Sequence, residues 1–276
     1  PLDPKLSDAD AAALIVNPMT AHAMLHLVKD AGAKAFVMTA GASQLGKLMA
    51  TLAPQMGLAS VATVRREEHR SLLEGLGVGT VVNTGREDFE DMLVMAMRQV
   101  QPTVLLDAVA DRYSAEIFAA MPAGARWVIY GKLSAEAPKL PSLGQMVFMK
   151  KQIEGFWLTE WMRRSSLETK IATIREAQMR FADGRWATDI NAIVPLEEPQ
   201  PATYALLRAT LEVLADLLHD LAREVGAVVE HAIVHTRSDQ MSPRQYRVLG
   251  FARPLASAPM DEQSILDVGL EPTRQF

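Results

Sequence analysis

From residue 35 to residue 130, short β-rich runs alternate with helix-forming stretches of about ten residues, and few folds accept that order. Strands are predicted over 35–39, 60–64, 80–83, 104–107 and 126–130. Helices should begin at Leu45, at Glu67, at Asp88 (running to Val100) and just after Arg112. Strands joined through helices give βαβ units, whose crossovers place helices on both faces of a parallel sheet. The expected fold class is α/β, a doubly wound parallel sheet of Rossmann-like type, followed by an α+β C-terminal segment.

The flanks are read from caps and periodicity. Ser7 and Asp10 have capping-box spacing ahead of a short apolar helix over 11–16, and Asn17-Pro18 reads as an N-cap and first turn of a helix ending near Gly32. Residues 155–158, Gly-Phe-Trp-Leu, look like one more strand; 165–183 form an amphipathic helix stopped by Gly184, and 190–194 a further strand. The character changes at Pro199-Gln200-Pro201, so the expected domains are 1–197 and 198–276. The second should hold a long helix over 202–225 and strands over 228–235 and 246–251. No internal repeat or heptad run appears.

Composition narrows the chemistry. The 276 residues, 49% hydrophobic, suffice for one large core or two modest ones. A net charge of -5 offers no general attraction to nucleic acid or to anionic membranes, and no apolar run approaches the length of a bilayer span. The absence of cysteine excludes disulfides, thiolate catalysis and thiolate-bound zinc. His22 with His26, and His231 with His235, share faces at spacings of four without a third ligand, so core-edge or surface roles are expected and no metal site. A cytoplasmic location is expected. The methionines read as core filler, and Phe156, Trp157 and Trp161 as interface or core aromatics.

The strand ending at Thr39 runs straight into Gly41-Ala42-Ser43-Gln44-Leu45-Gly46 and then a helix. Against the pattern G-x-G-x-x-G, the first and third glycines are present and Ser43 stands for the second. Phosphate binding needs a tight turn, close backbone approach and a helix N-terminus whose free amides face the anion. Small residues at 41–43 satisfy those needs. A ligand-free βα turn would satisfy them too; the position after the first strand of a βαβ series favours a dinucleotide.

The end of the second strand distinguishes the dinucleotides. An acidic residue there would accept hydrogen bonds from a ribose 2′-hydroxyl, and here Arg65 and Arg66 follow Val64 instead. Two guanidiniums suit a 2′-phosphate, with His69 and Arg70 one helical turn on, so NADP(H) is the expected cofactor. The same observation argues against an S-adenosylmethionine enzyme.

With these residues in view, the chain resembles the cofactor domain of the medium-chain dehydrogenase/reductases, in the zinc-free quinone oxidoreductase and enoyl-thioester reductase branch. Val16-Asn17-Pro18-Met19-Thr20-Ala21, the loop 39–46, Leu105-Leu106-Asp107-Ala108-Val109 and Gly155-Phe156-Trp157-Leu158 carry the likeness, over about residues 5–197. The resemblance implies that Thr20, Tyr130 and Gly131 border the nicotinamide, that Asp107 is structural, and that the strand near Phe156 pairs across a homodimer. It also implies hydride transfer from NADPH to a quinone or the activated double bond of an enoyl thioester. Short-chain dehydrogenases are set aside because no tyrosine is followed four residues later by lysine.

The departures are as specific as the matches. The family carries a GroES-like domain ahead of the cofactor domain; Pro1 falls after its expected end, and a start other than methionine reads as a cut edge. Residues 198–276 match nothing in the family, and no catalytic residue is assigned. The alternative is a non-catalytic dinucleotide-binding or interaction protein. As given, the chain is expected to bind NADP(H) and to turn over substrate poorly.

Overall fold

The computed structural model describes residues 2–190. Six strands form one sheet: β1 (Ala35–Met38), β2 (Ala59–Val64), β3 (Thr80–Asn83), β4 (Val104–Asp107), β5 (Arg126–Ile129) and β6 (Gln152–Gly155). All neighbouring pairs are parallel, in the order β3-β2-β1-β4-β5-β6. The chain therefore winds outward in one direction from β1 and then outward in the other from β4. Helices α1 (Asp8–Ala12), α2 (Val16–Asp30), α3 (Gln44–Leu52), α4 (His69–Gly75), α5 (Phe89–Val100), α6 (Arg112–Ala120), α7 (Leu143–Met149), α8 (Leu158–Arg164) and α9 (Leu167–Ala182) complete the described chain.

Alternation along each strand feeds two cores. Phe36, Met38, Ala62, Val64, Leu106 and Val128 meet α2, α3 and α9 on one face. On the other, Val37, Val61, Leu105 and Trp127 meet Phe89, Leu93 and Met97 of α5 and Ile117 and Phe118 of α6. The doubly wound α/β class expected from the sequence is the class observed.

Boundaries differ where caps compete. Ser7 does cap, its Oγ accepting from Asp10 N at 3.1 Å, but the helix follows at once instead of starting at residue 11, because two aspartates in its first turn suit the positive end of the helix dipole. In α2 the cap is Ile15, not Asn17, and Pro18 is third in the helix; the first intrahelical bond begins at Met19 N, so no amide is missed. The strand expected over 155–158 is displaced to Gln152–Gly155, since pairing ends where β5 ends, at Ile129. Phe156 then turns into the core and Leu158 opens α8, which the sequence reading omitted. Ser166 caps α9, accepting from Thr169 N, and Gly184 follows its end with φ 76°. The strand expected over 190–194 lies, beyond its first residue, outside the described residues, as do the helix over 202–225 and the strands over 228–235 and 246–251.

Candidate functional site

The strand order reverses between β1 and β4, and the loops leaving these two strands at their carboxyl ends flank this switch point, the usual place for a ligand in such sheets. Its floor is a buried polar joint. Thr39 Oγ1 donates to Asp107 Oδ1 at 2.7 Å and accepts from Ala108 N at 2.9 Å. Asp107 Oδ1 also accepts from Val109 N, Ala110 N and Ser114 Oγ, and Oδ2 accepts from Trp127 Nε1 at 2.8 Å. Asp107 is thus a fully enclosed brace, in the structural part expected of it. Just beyond each strand the backbone crosses into the left-handed region, at Ala40 (φ 50°) and Ala110 (φ 54°). Left-handed alanines are uncommon, and alanine gives no sequence signal for them.

The glycine loop 41–46 needs its small residues for packing, whatever approaches it. A Cβ on Gly46 would lie 2.2 Å from the Gly41 carbonyl oxygen, and one on Gly41 would lie 2.8 Å from Ala62 Cβ. Gly41 N donates to Thr63 O at 3.0 Å, tying the loop to β2. Ser43 is the N-cap of α3, with Oγ accepting from Gly46 N at 3.1 Å. The amides of Gln44 and Leu45 donate to no protein group among the described residues, which leaves two first-turn donors at the positive end of α3. This cradle fits a pyrophosphate: free amides, a helix end, and no side chain in the approach at Gly41, Ala42 or Ser43.

The side chain of Gln44 faces elsewhere. Its Nε2 donates to Ala187 O at 2.7 Å and its Oε1 accepts from Asp189 N at 3.3 Å, while Lys47 Nζ pairs with the Asp189 carboxylate. Trp186 Nε1 donates to Thr51 Oγ1, and Thr188 N to Asp10 Oδ1. The segment after α9 is therefore strapped along α3, from Thr51 in its last turn to Gln44 in its first, and reaches α1. Sequence reading missed this strap, because its partners lie far apart along the chain.

Arg65 and Arg66 are exposed in the turn after β2, and Arg66 Nη1 reaches Glu68 Oε1 at 3.4 Å. His69 opens α4, 3.9 Å from the same carboxylate. Arg70 does not join this group, contrary to expectation. It donates to Val81 O at 2.8 Å and pairs with Glu67, whose carboxyl is held below its usual range by Arg70 and by Asn83 Nδ2. Its work is to fasten α4 to β3.

At the far side, a Cβ on Gly131 would lie 3.0 Å from Ala108 O, so the loops after β4 and β5 touch through backbone. Tyr130 packs on the core shared with α2, its hydroxyl buried and without a partner among the described residues, and burial, with Asp107 adding, raises its pKa. Thr20 is buried in α2, and its hydroxyl donates to Val16 O at 2.7 Å. No hydrogen bond joins Thr20 to Tyr130 among the described residues. The histidine pair separates: His22 is 2% exposed while His26 faces solvent. No group of three metal-ligating side chains occurs among the described residues.

Comparison with known proteins gives one family. A model described as zinc-binding dehydrogenase matches residues 45–175. The mitochondrial enoyl-[acyl-carrier-protein] reductase of Schizosaccharomyces pombe is 28% identical over 205 residues, 70% of this chain and 54% of its own length. The human protein of the same description is 27% identical over 203 residues, 72% of this chain and 54% of its own. The chain thus spans about half the length of the curated relatives it matches. A crystal structure described as a candidate NADPH:quinone reductase from Mesorhizobium loti is 48% identical with a TM-score of 0.68, covering 75% of this chain and 60% of that one. The mitochondrial 2-enoyl thioester reductase heterodimer of Candida tropicalis, 23% identical with a TM-score of 0.62 over 75% of this chain and 60% of its own, shares the fold. On these matches and on its strand order, the described part of the chain is similar to the cofactor-binding part of the medium-chain dehydrogenase/reductases.

Proposed function

We propose that the chain is the NADPH-binding part of a reductase of the quinone or enoyl-thioester type, which passes hydride from the cofactor to a quinone or an activated double bond. The observation that carries the cofactor choice is the exposed pair Arg65-Arg66 at the carboxyl end of β2, where Gly41 of the phosphate loop is also hydrogen-bonded. In this reading Gly41, Ala42, Ser43, Gln44, Leu45 and Gly46 receive the pyrophosphate, mostly through backbone. Arg65, Arg66 and His69 hold the 2′-phosphate, and Thr20, Tyr130 and Gly131 border the nicotinamide. The cofactor supplies the hydride; the protein orients it and shields it from water. The relatives' descriptions, quinone reductase at 48% identity and enoyl reductases at 27–28%, support the substrate class. The reading is zinc-free, in keeping with a chain that has no cysteine, and places the protein in the cytoplasm as a homodimer.

Titrating the full chain with NADPH and NADH tests it. NADPH should bind at least about tenfold tighter, roughly 1.4 kcal/mol, and replacing both arginines with alanine should erase most of that difference. Equal affinities in the parent chain would defeat the reading.

A further inference from the structure

We propose that the strap is an acid-opened latch: protonation of His22 releases Trp186, and with it residues 186–189, from α2 and α3 while the sheet stays folded. Trp186 is the one buried residue of the stretch 183–190; those around it are exposed or half-buried. Its ring meets that of His22 edge-on at 5.6 Å, the Arg180 guanidinium stands over it at 5.2 Å, and its amide donates to Arg180 O at 2.9 Å. The remaining holds on the strap are polar contacts, to Thr51, Gln44 and Lys47 of α3 and to Asp10 of α1.

The latch turns on charge. The His22 side chain is 2% exposed and its Nε2 has no partner among the described residues, and on α9 the Nη1 of Arg180, a side chain 3% exposed, has none either. Among the groups that face His22, Glu176 of α9 is the one carboxylate, 3.7 Å from Nδ1, and its other oxygen already accepts from Arg180 at 2.7 Å. Arg180, and His26 one turn along α2, oppose a proton on His22; α3 and α8, which also pack on α2, bring no charged group to bear on it among the described residues. A proton there would leave two buried cations sharing one carboxylate around the Trp186 ring, a desolvation cost that is relieved once water reaches the imidazole. Helix α2 is too deeply set to yield, since residues 18–25 are all buried; the strap, held by one buried ring, is the part that opens. Burial lowers the His22 pKa to about 4 with the strap closed, and opening restores its ordinary value of 6.5. The open form therefore binds the proton more strongly, so the fraction open grows as the pH falls through that interval, by about twentyfold from pH 7 to pH 5. Opening also parts Gln44 from Ala187 and Lys47 from Asp189, which carries the effect to α3.

Amide hydrogen exchange of the full chain, read by NMR at pH 5, 6 and 7 and corrected for intrinsic rates, tests this. The amides of Trp186, Thr188 and Asp189 donate to Arg180 O, Asp10 Oδ1 and Gln44 Oε1 and so report the strap. Thr39 N, bonded to Leu106 O between the ends of β1 and β4, reports the sheet. In the parent, the strap amides should exchange ahead of Thr39 at every pH and lose about twentyfold in protection from pH 7 to pH 5. His22→Gln and His22→Asn should each flatten that loss, while His26→Gln and Asp189→Asn keep its slope. Strap amides that exchange in step with Thr39 would mean that the strap opens only with the whole sheet, which overturns the proposal from the parent alone. An undiminished slope in a folded His22 variant, or a slope abolished by Asp189→Asn, overturns it as well.

Discussion

His22 sits within α2 with Nδ1 3.7 Å from Glu176 Oε2 and its ring edge-on to Trp186. Burial lowers its pKa to about 4, helped by Arg180 and His26 and opposed by Glu176. An unfolded chain takes up that proton near pH 6.5, and the folded one resists until about pH 4. Between those values the unfolded state binds more protons, so stability is complete above the window and falls as the pH drops through it. From pH 7 to pH 5 the loss should be about 2 kcal/mol, seen as a falling melting temperature, and His22→Gln should flatten the slope. An identical slope in the variant would remove His22 as the cause. At this scale the sequence showed what side-chain size and charge alone can show: small residues at 41–43, and arginines where an acid is usual. It did not show that Ala40 and Ala110 take left-handed backbone, that Arg70 is bound to Val81, or that Lys47 meets Asp189, since each depends on residues brought together from elsewhere.

Strand β4 ends in Asp107, and that single carboxylate gathers donors from Thr39 after β1, from the Val109 and Ala110 amides after β4, from Trp127 in β5 and from Ser114 in α6. Asp107→Ala would leave several buried donors unpaired, and denaturant unfolding should show a loss on the order of 3 kcal/mol or more, with Asp107→Asn losing less. A stability within a few tenths of a kcal/mol of the parent would mean that water replaces the carboxylate. Strand and helix order was legible from β1 to β5 because apolar runs are local signals, and α9 lies within the stretch 165–183 read as a helix stopped by Gly184, whereas α7 and α8 were not read. Element ends were less so. The run Gly155-Phe156-Trp157-Leu158 has strand-like composition, but its pairing stops with β5, and only the partner strand fixes where that is.

At the scale of the molecule, β6 is the outer strand of the sheet among the described residues, with Ile153 36% exposed on it and Trp157 61% exposed just beyond. Leu143, Val147 and Phe148 of the neighbouring α7 are exposed as well. An open edge beside apolar surface invites a second copy, and sedimentation at micromolar concentration should show a dimer that Ile153→Lys converts to monomer. A monomeric parent would end the idea. Phe156, packed against the core, is a poor probe, since changing it would injure the fold itself.

The brace under the crevice joins Thr39 to a residue 68 positions later, and this separation gives the site a place in time. During synthesis β1, the glycine loop, β2 and β3 emerge first, and they can pair among themselves while β4 is still unmade. Closing so long a loop is slow compared with the local helices. Until β4 docks, the loop has no floor and its helix end no opposite wall. The nucleotide capture proposed above would thus be the signature of a finished sheet and give no help to a half-made one: a chain stalled before residue 107 would have the sequence motif and lack the floor beneath it.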